Sequence, residues 1–361
     1  MKQVKDIKDD LVEEFYDNGQ LKFRGNFIKG LAEGLWERYH ENGQLKRKGN
    51  YKNGYRDGLW EYFDEDGNLT KTEECKDGER EGLYEWFHEN GHLGSRGNYK
   101  NGGREGLREW FHDNGQLKHK TNYKKDKQKG LVESYHENGQ LEYKGNFKEF
   151  DPDIPESEDW CVFLDSLYEV FYENGQLKEK GNYKNGGREG LREVFHENGQ
   201  LKEKGNYKNG NKDGIWKGYD YGGNLTKTEE WKDGERDGLF EVFDENGQLM
   251  SRKNYKDGRR HGHWESHQDN GQLQERETYK DNELDGLRER FHENGQLRSK
   301  GTYKDGEEDG LHEWFHENGQ LESKINCKNG ESDGPWEYFD EDGNPTTPIS
   351  WIDGIDGELV E

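Results

Sequence analysis

Seven histidines, His40, His88, His112, His136, His196, His292 and His316, share one local setting, an aromatic residue before and an acidic-Asn-Gly turn after. Imidazole is the commonest protein ligand for zinc, so a recurring histidine raises the question of a metal. Glutamates recur in the same way, among them Glu37, Glu61, Glu109, Glu193 and Glu313. Two carboxylates about 5–9.5 Å apart can share acid–base work. Asp64-Glu65-Asp66-Gly67 and Asp340-Glu341-Asp342-Gly343 have the acidic density of calcium loops. Pitch, repetition and loop pattern decide against the three chemistries in turn. Equivalent positions in successive hairpins lie two strands apart, about 9–10 Å, whereas zinc needs its nitrogens within about 2.1 Å of one ion. A catalytic pair is a unique device, and the glutamate occurs in thirteen copies. The acidic turns lack the twelve-residue calcium pattern. The histidines are therefore expected to be solvated or cross-strand, and the glutamates to pair with Lys or Arg on the next strand. No nucleophile, base or metal set stands out, so neither enzyme activity nor a cofactor is expected.

The element that positions these residues is a repeat. Turns of the type Glu-Asn-Gly-Gln-Leu place a glycine at 19, 43, 67, 91, 115, 139, 175, 199, 223, 247, 271, 295, 319 and 343. Every step is 24 residues except 139 to 175, which is 36. Counted from this glycine, position +2 is leucine in thirteen copies, −4 is Phe or Tyr in thirteen, +8 is aromatic in twelve, and −8 is mostly leucine, as at Leu35, Leu59 and Leu107. Asn-Gly between apolar runs is a strong hairpin signal. A three-residue loop with left-handed glycine and a bulge after it sets −4 opposite +2, as Phe111 opposite Leu117, and is preferred over a two-residue turn. All four offsets are even, so they are expected on one buried face. A second glycine-bearing turn follows each +8 aromatic, as in Lys52-Asn53-Gly54-Tyr55. A lone unit of this size cannot bury enough to fold and needs neighbours on both sides. The expected fold is all-β: an elongated, twisted array of about fourteen tandem 24-residue hairpins. Its parts are an N-terminal lead (1–10), repeats 1–6 (11–148), an insertion (149–161), repeats 7–14 (162–357) and a tail (358–361).

Composition agrees. The 361 residues carry 54 Lys and Arg against 79 Asp and Glu, a formal charge of −25. Such an excess repels phosphate backbones and anionic lipid, so neither nucleic acid nor membrane is an expected partner. Glycine numbers 50 while alanine occurs once, at Ala32, which disfavours helices. Three distant cysteines, Cys75, Cys161 and Cys327, imply no disulfide framework, and no apolar N-terminal segment is present. A cytoplasmic protein is expected. Cys75 and Cys327 take the aromatic +8 place, as packed thiols, while Pro345 and Pro348 suit a protected edge strand.

Gly49-Asn50-Tyr51-Lys52-Asn53-Gly54-Tyr55-Arg56-Asp57-Gly58 resembles half of a MORN repeat. The longer Gly-Leu-x-Glu-x-Phe-His-Glu-Asn-Gly-Gln-Leu-Lys-x-Lys-Gly-Asn-Tyr is similar to the MORN-repeat variant of the bacterial YwqK-type antitoxin family. The likeness runs from about Leu11 to Gly357. It implies stacked hairpins that bind or scaffold a protein partner, in the YwqK-type group an antitoxin-like component whose partner is a toxin. A lipid-surface or envelope-associated array is the alternative.

Two features could confer a partner. Trp36, Trp60, Trp216, Trp264 and Trp336 stand at −7, and Trp86, Trp110 and Trp314 at −5. These odd offsets face away from the regular Leu/Phe face, where they are either half-buried by twist against lysine stems or form an aromatic binding stripe. The insertion begins acidic and proline-bearing and ends apolar, with Ile154, Trp160 and Phe163 as its candidate contacts.

Overall fold

The structure, a computed structural model, describes residues 10–150 and 164–346. The chain divides into two compact units. One holds the described residues up to Glu189 together with Glu197–Gly199; the other holds Gly190–His196 and those from Gln200 onward. Both are all-β, with antiparallel pairing throughout, and no helix occurs among the described residues.

The first unit shows how one repeat is made. Strands Leu31–Tyr39 and Leu45–Lys52 pair with Tyr39 opposite Leu45, Arg38 opposite Arg47 and Trp36 opposite Gly49. The aromatic at −4 does face the leucine at +2. Gly43 is left-handed, with φ 85°. The turn closes with the His40 amide donating to the Gln44 carbonyl at 2.8 Å and the Gly43 amide to the His40 carbonyl at 3.0 Å. The asparagine before the glycine does not need positive φ. Its Oδ1 accepts from the Gln44 amide at 2.9 Å, while Asn42 Nδ2 donates to the Glu65 carbonyl of the next turn at 2.6 Å. The positive-φ pair sits at the other end of the hairpin. Asn53 (φ 50°) and Gly54 (φ 82°) join the paired residues Lys52 and Tyr55 in a two-residue turn of the I′ kind.

The bulge corrects one expectation. Between Arg38 and Tyr39 the register shifts by one residue, so Lys46 has no opposite number. One extra residue inverts the alternation of the second strand. Positions −4 and +2 remain together, but the +8 aromatic crosses to the face of −7. The leucine at −8 stays with the phenylalanine at −4, and that is not the packed face. Leu35, Leu59, Leu83, Leu107, Leu131 and Leu167 in the first unit, and Leu191, Ile215, Leu287 and Leu311 in the second, are 38–54% exposed. On the face of −7, Trp60 in the first unit and Trp216 in the second are 2% exposed, and in the first unit Val132, Tyr168, Tyr123, Phe147 and Tyr183 are also buried.

A second irregularity produces that packing. After the I′ turn, Asn50 pairs with Asp57 and Lys48 with Glu61, leaving Gly58, Leu59 and Trp60 opposite Gly49 alone. Gly58 is left-handed (φ 77°) and swings the indole across Gly49, where a Cβ would lie 2.2 Å from the Trp60 ring. Gly25 receives Trp36 and Gly205 receives Trp216 in the same way. The glycine at +6 is thus a slot for the −7 ring of the following repeat.

Of the expected insertion, 149–161, residues 151–161 lie outside the described residues; residues 149 and 150 continue strand Leu141–Phe150. Pro348 also lies outside them, whereas Pro345 stands in the short strand Pro345–Thr346.

Candidate interaction surface

The −7 tryptophans are structural rings. Trp36 packs edge-on to Phe27 at 5.1 Å and Tyr51 at 5.6 Å, and Trp60 to Tyr51 at 5.1 Å. In the second unit Trp216 meets Tyr207 at 5.1 Å, and Trp264 lies between Tyr255 and Tyr279. Trp36, Trp216 and Trp264 each donate the indole N–H to the carbonyl at +7 of the preceding repeat: Asn26 at 3.2 Å, Asn206 at 3.1 Å and Asn254 at 2.9 Å. Arg56 and Arg47 cover the ring of Trp60, and Lys212 that of Trp216 at 3.9 Å. Rings buried to this degree cannot meet a partner, so Trp60 and Trp216 leave the candidate stripe. Trp86 and Trp336 are 41% exposed. Trp86 lies against Gly94 and His88, and with Trp110, His119 and Tyr135 it lines an open pocket of about 490 Å³. Trp314 packs on Trp336 at 5.2 Å. Ile154, Trp160 and Phe163 lie outside the described residues.

The even face carries charge and exposed leucine together. Glu37, Glu61, Glu109 and Glu133 bond Arg24, Lys48, Arg96 and Lys120 on the strand before, as in Lys48–Glu61 at 2.8 Å. In the second unit Arg276 bridges Glu265 at 3.3 Å and Glu289 at 3.2 Å. These are the expected cross-strand pairs. Each is solvent-screened and contributes little to stability. Beside this charge ladder runs the leucine ladder of position −8, one residue for every two strands.

The recurring histidines are staples between repeats. Nε2 of His40, His88 and His112 bonds the carbonyl of the −4 aromatic one repeat on: Phe63 at 3.0 Å, Phe111 at 3.0 Å and Tyr135 at 2.9 Å. His196, His292 and His316 do the same in the second unit. This is a cross-strand role.

Glutamate replaces the +6 glycine at Glu73, Glu229 and Glu277, and the first two are buried. Glu73, 2% exposed, accepts from Arg56 Nη1 and Arg80 Nε at 2.9 Å and from the Tyr62 hydroxyl, with Lys71 at 3.5 Å. Burial pushes its carboxyl up, but the Tyr62 hydrogen bond and the Lys71 and Arg80 charges hold it below the usual range. Tyr62 is raised by burial and by its bond to Glu73. Glu229 is likewise buried. Its carboxyl is held low, against burial, by Lys227 at 3.0 Å and by the Trp231 indole at 2.9 Å.

One group escaped the sequence reading. Ligand atoms of Glu308, His312 and Cys327 lie within 4.8 Å of one another. His312 is at −7, not at the stapling position −3, so the spacing argument that removed zinc did not cover it. The available signal was a histidine in a tryptophan place and a cysteine in a tyrosine place of one repeat.

Comparison with known proteins bears on the repeat. The MORN repeat variant family matches twelve segments: 11–29, 32–53, 56–76, 80–101, 104–125, 128–149, 164–185, 188–209, 236–257, 260–281, 284–305 and 308–329. No curated protein matches the chain. Among solved structures, the TcdB2-TccC3-Cdc42 crystal structure is 12% identical over 93% of this chain and 23% of its own, with a TM-score of 0.15. The TcdB2-TccC3 crystal structure is 13% identical over 93% and 24%, with a TM-score of 0.16. The Photorhabdus luminescens Tc holotoxin pore is 12% identical over 91% and 24%, also at 0.16. The chain therefore spans about a quarter of the length of these structures. The family segments coincide with the hairpins and cover most of the residues: the chain belongs to the MORN repeat variant family, as a tandem array of β-hairpins.

Proposed function

We propose that the array is a non-enzymatic scaffold that binds a protein partner along the leucine ladder. One observation carries this reading: the large apolar residue at −8, leucine in most copies, is about half exposed in copy after copy. Exposed apolar residues in register make a periodic row of hydrophobic contact points, a feature of contact surfaces. Within the first unit, Leu35 to Leu167 recur at the two-strand spacing of about 9–10 Å. The charged rows beside them supply orientation more than affinity. The commitment of the −6 glutamates to ion pairs and of the −3 histidines to carbonyls supports a role without catalysis. The finer reading, an antitoxin-like component with a toxin as partner in the cytoplasm, rests on the resemblance to YwqK-type proteins.

The test is a tagged pull-down from the native host, quantified by mass spectrometry. Wild type is compared with L83S/L107S/L131S, with W86S/W110S on the opposite face, and with a deletion of 149–161. Loss of a stoichiometric partner in the leucine variant alone supports the ladder. Loss only in the tryptophan variant or the deletion moves the site there. With no protein partner and flotation on anionic liposomes, the lipid alternative replaces the scaffold reading.

A further inference from the structure

The repeat ending in the turn at Gly319 departs from the array at three places at once. Position −11, Arg in Arg56, Arg80, Arg104, Arg188, Arg236 and Arg260, is Glu308. Position −7, most often an aromatic ring, is His312. Position +8, aromatic in most copies, is Cys327. Cys75 also stands at +8, but with Trp60 at its −7 and Arg56 at its −11, so only this repeat combines the changes. All three replacements are metal-ligand types, and all fall on the packed face.

Their geometry is set by the slot already described. His312 lies over Gly301, where a Cβ would be 2.1 Å from Nδ1, and is 3% exposed. Its Nε2 stands 2.9 Å from the Thr302 carbonyl. That is the same +7 carbonyl that takes an indole N–H from Trp36, Trp216 and Trp264 in their repeats. Indole nitrogen can only donate, so the slot requires a donor, and Nε2 of His312 carries the proton. In the neutral ring the lone pair is then on Nδ1. Nδ1 is 3.8 Å from Glu308 Oε1, and Cys327 Sγ is 3.5 Å from Glu308 Oε2. The Tyr303 hydroxyl donates to Glu308 Oε1 at 3.2 Å and fixes the carboxylate. Tetrahedral zinc, with bonds of about 2.0–2.3 Å to N, O and S, holds neighbouring ligand atoms about 3.3–3.8 Å apart. A histidine whose far nitrogen donates to a backbone carbonyl is also the usual outer arrangement around a metal.

We propose that Glu308, His312 Nδ1 and Cys327 Sγ form a binding site for one borderline-soft divalent cation of the zinc class, with the fourth position open to solvent beside Glu308. Binding forms a bond to the Cys327 thiolate, whose proton passes to solvent, so affinity tightens as pH rises. Thiolate with imidazole selects against magnesium and calcium.

The test uses the full chain stripped with chelator and titrated with cobalt(II). The expected result is one equivalent bound with tetrahedral visible absorption and a thiolate-to-cobalt charge-transfer band. Cys327→Ser removes that band. His312→Trp and Glu308→Arg restore residues used in other repeats and so preserve the fold. Each is expected to weaken cobalt binding at least about 100-fold, with circular dichroism and melting midpoint retained. X-ray absorption of the zinc-loaded wild type should show one sulfur among nitrogen and oxygen neighbours, which does not depend on any variant folding. Octahedral cobalt without a sulfur band in wild type, or spectra unchanged in both Cys327→Ser and His312→Trp, overturns the site.

Discussion

The packing of −7 rings on +6 glycines predicts a reciprocal rescue. In Gly49→Thr the new Cβ would sit 2.2 Å from the Trp60 ring. Gly49 is not among the left-handed glycines, so the strand backbone itself accepts threonine. The cost is therefore overpacking, about 1–3 kcal/mol. In Trp60→Val a ring 2% exposed is removed. Its Nε1 has no hydrogen-bond partner, so no bond is lost, and the expected cost is about 3 kcal/mol, at the low end for a buried tryptophan. The double variant recreates a pair the chain already uses, Thr121 with Val132, both fully buried. It should cost at least about 2 kcal/mol less than the sum of the single variants. Leu59→Ser is the control: at 52% exposure it should cost no more than about 1 kcal/mol. Because an array loses stability locally, the assay is amide hydrogen exchange over 45–63 by mass spectrometry, with opening free energies at graded urea. Additivity within about 0.5 kcal/mol, or a Leu59→Ser loss exceeding that of Trp60→Val, would refute the assignment of the packed face.

Glu73 makes stability pH-dependent in a fixed direction. Its carboxyl is lower in the folded protein than in the unfolded chain, so its contribution is present above the unfolded pKa and lost as pH falls through the folded one. Glu73→Gln should cost about 3 kcal/mol near neutrality and flatten the acid limb of a urea-midpoint-against-pH curve; an unchanged acid limb would contradict this. His112→Ala removes a 2.9 Å bond to Tyr135 and should cost about 0.5–1.5 kcal/mol. Exchange should then quicken at the Gly139 turn and not at Gly67, whereas uniform quickening would speak against a local staple. Burial raises the Cys75 thiol, so it should react with a disulfide reagent far more slowly in the native protein than in urea. Equal rates would place Cys75 outside the packed face.

The unit, its turns and the −4 to +2 register were legible because each depends on residues within a few positions of one glycine. The face of +8 was not. It depends on counting through a bulge, and one added residue reverses every side chain beyond it. Leu59 and Trp60 then exchange the roles their hydrophobicity suggests. The leucine has no facing layer to enter, while the tryptophan finds the space left by Gly49. The histidine role followed from pitch, and the glutamate role from its repetition in thirteen copies. The Glu308–His312–Cys327 group did not, since it joins offsets from opposite ends of a repeat.

The pairing of +6 with −7 also separates what can vary for stability from what can vary for recognition. Gly49 with Trp60 and Thr121 with Val132 fill one slot by different divisions of the same volume, and Glu73 fills it with a carboxylate bound by Arg56 and Arg80. Such exchanges are complete within two or three neighbouring strands of the packed face. Leucine at −8 is held through these exchanges, at Leu59, Leu83 and Leu131, although exposure denies it most of the burial energy that would explain its retention as packing. A leucine kept at these three places where packing does not require it, beside a −7 residue that changes freely where packing is tight, is the pattern expected if −8 meets something outside the chain.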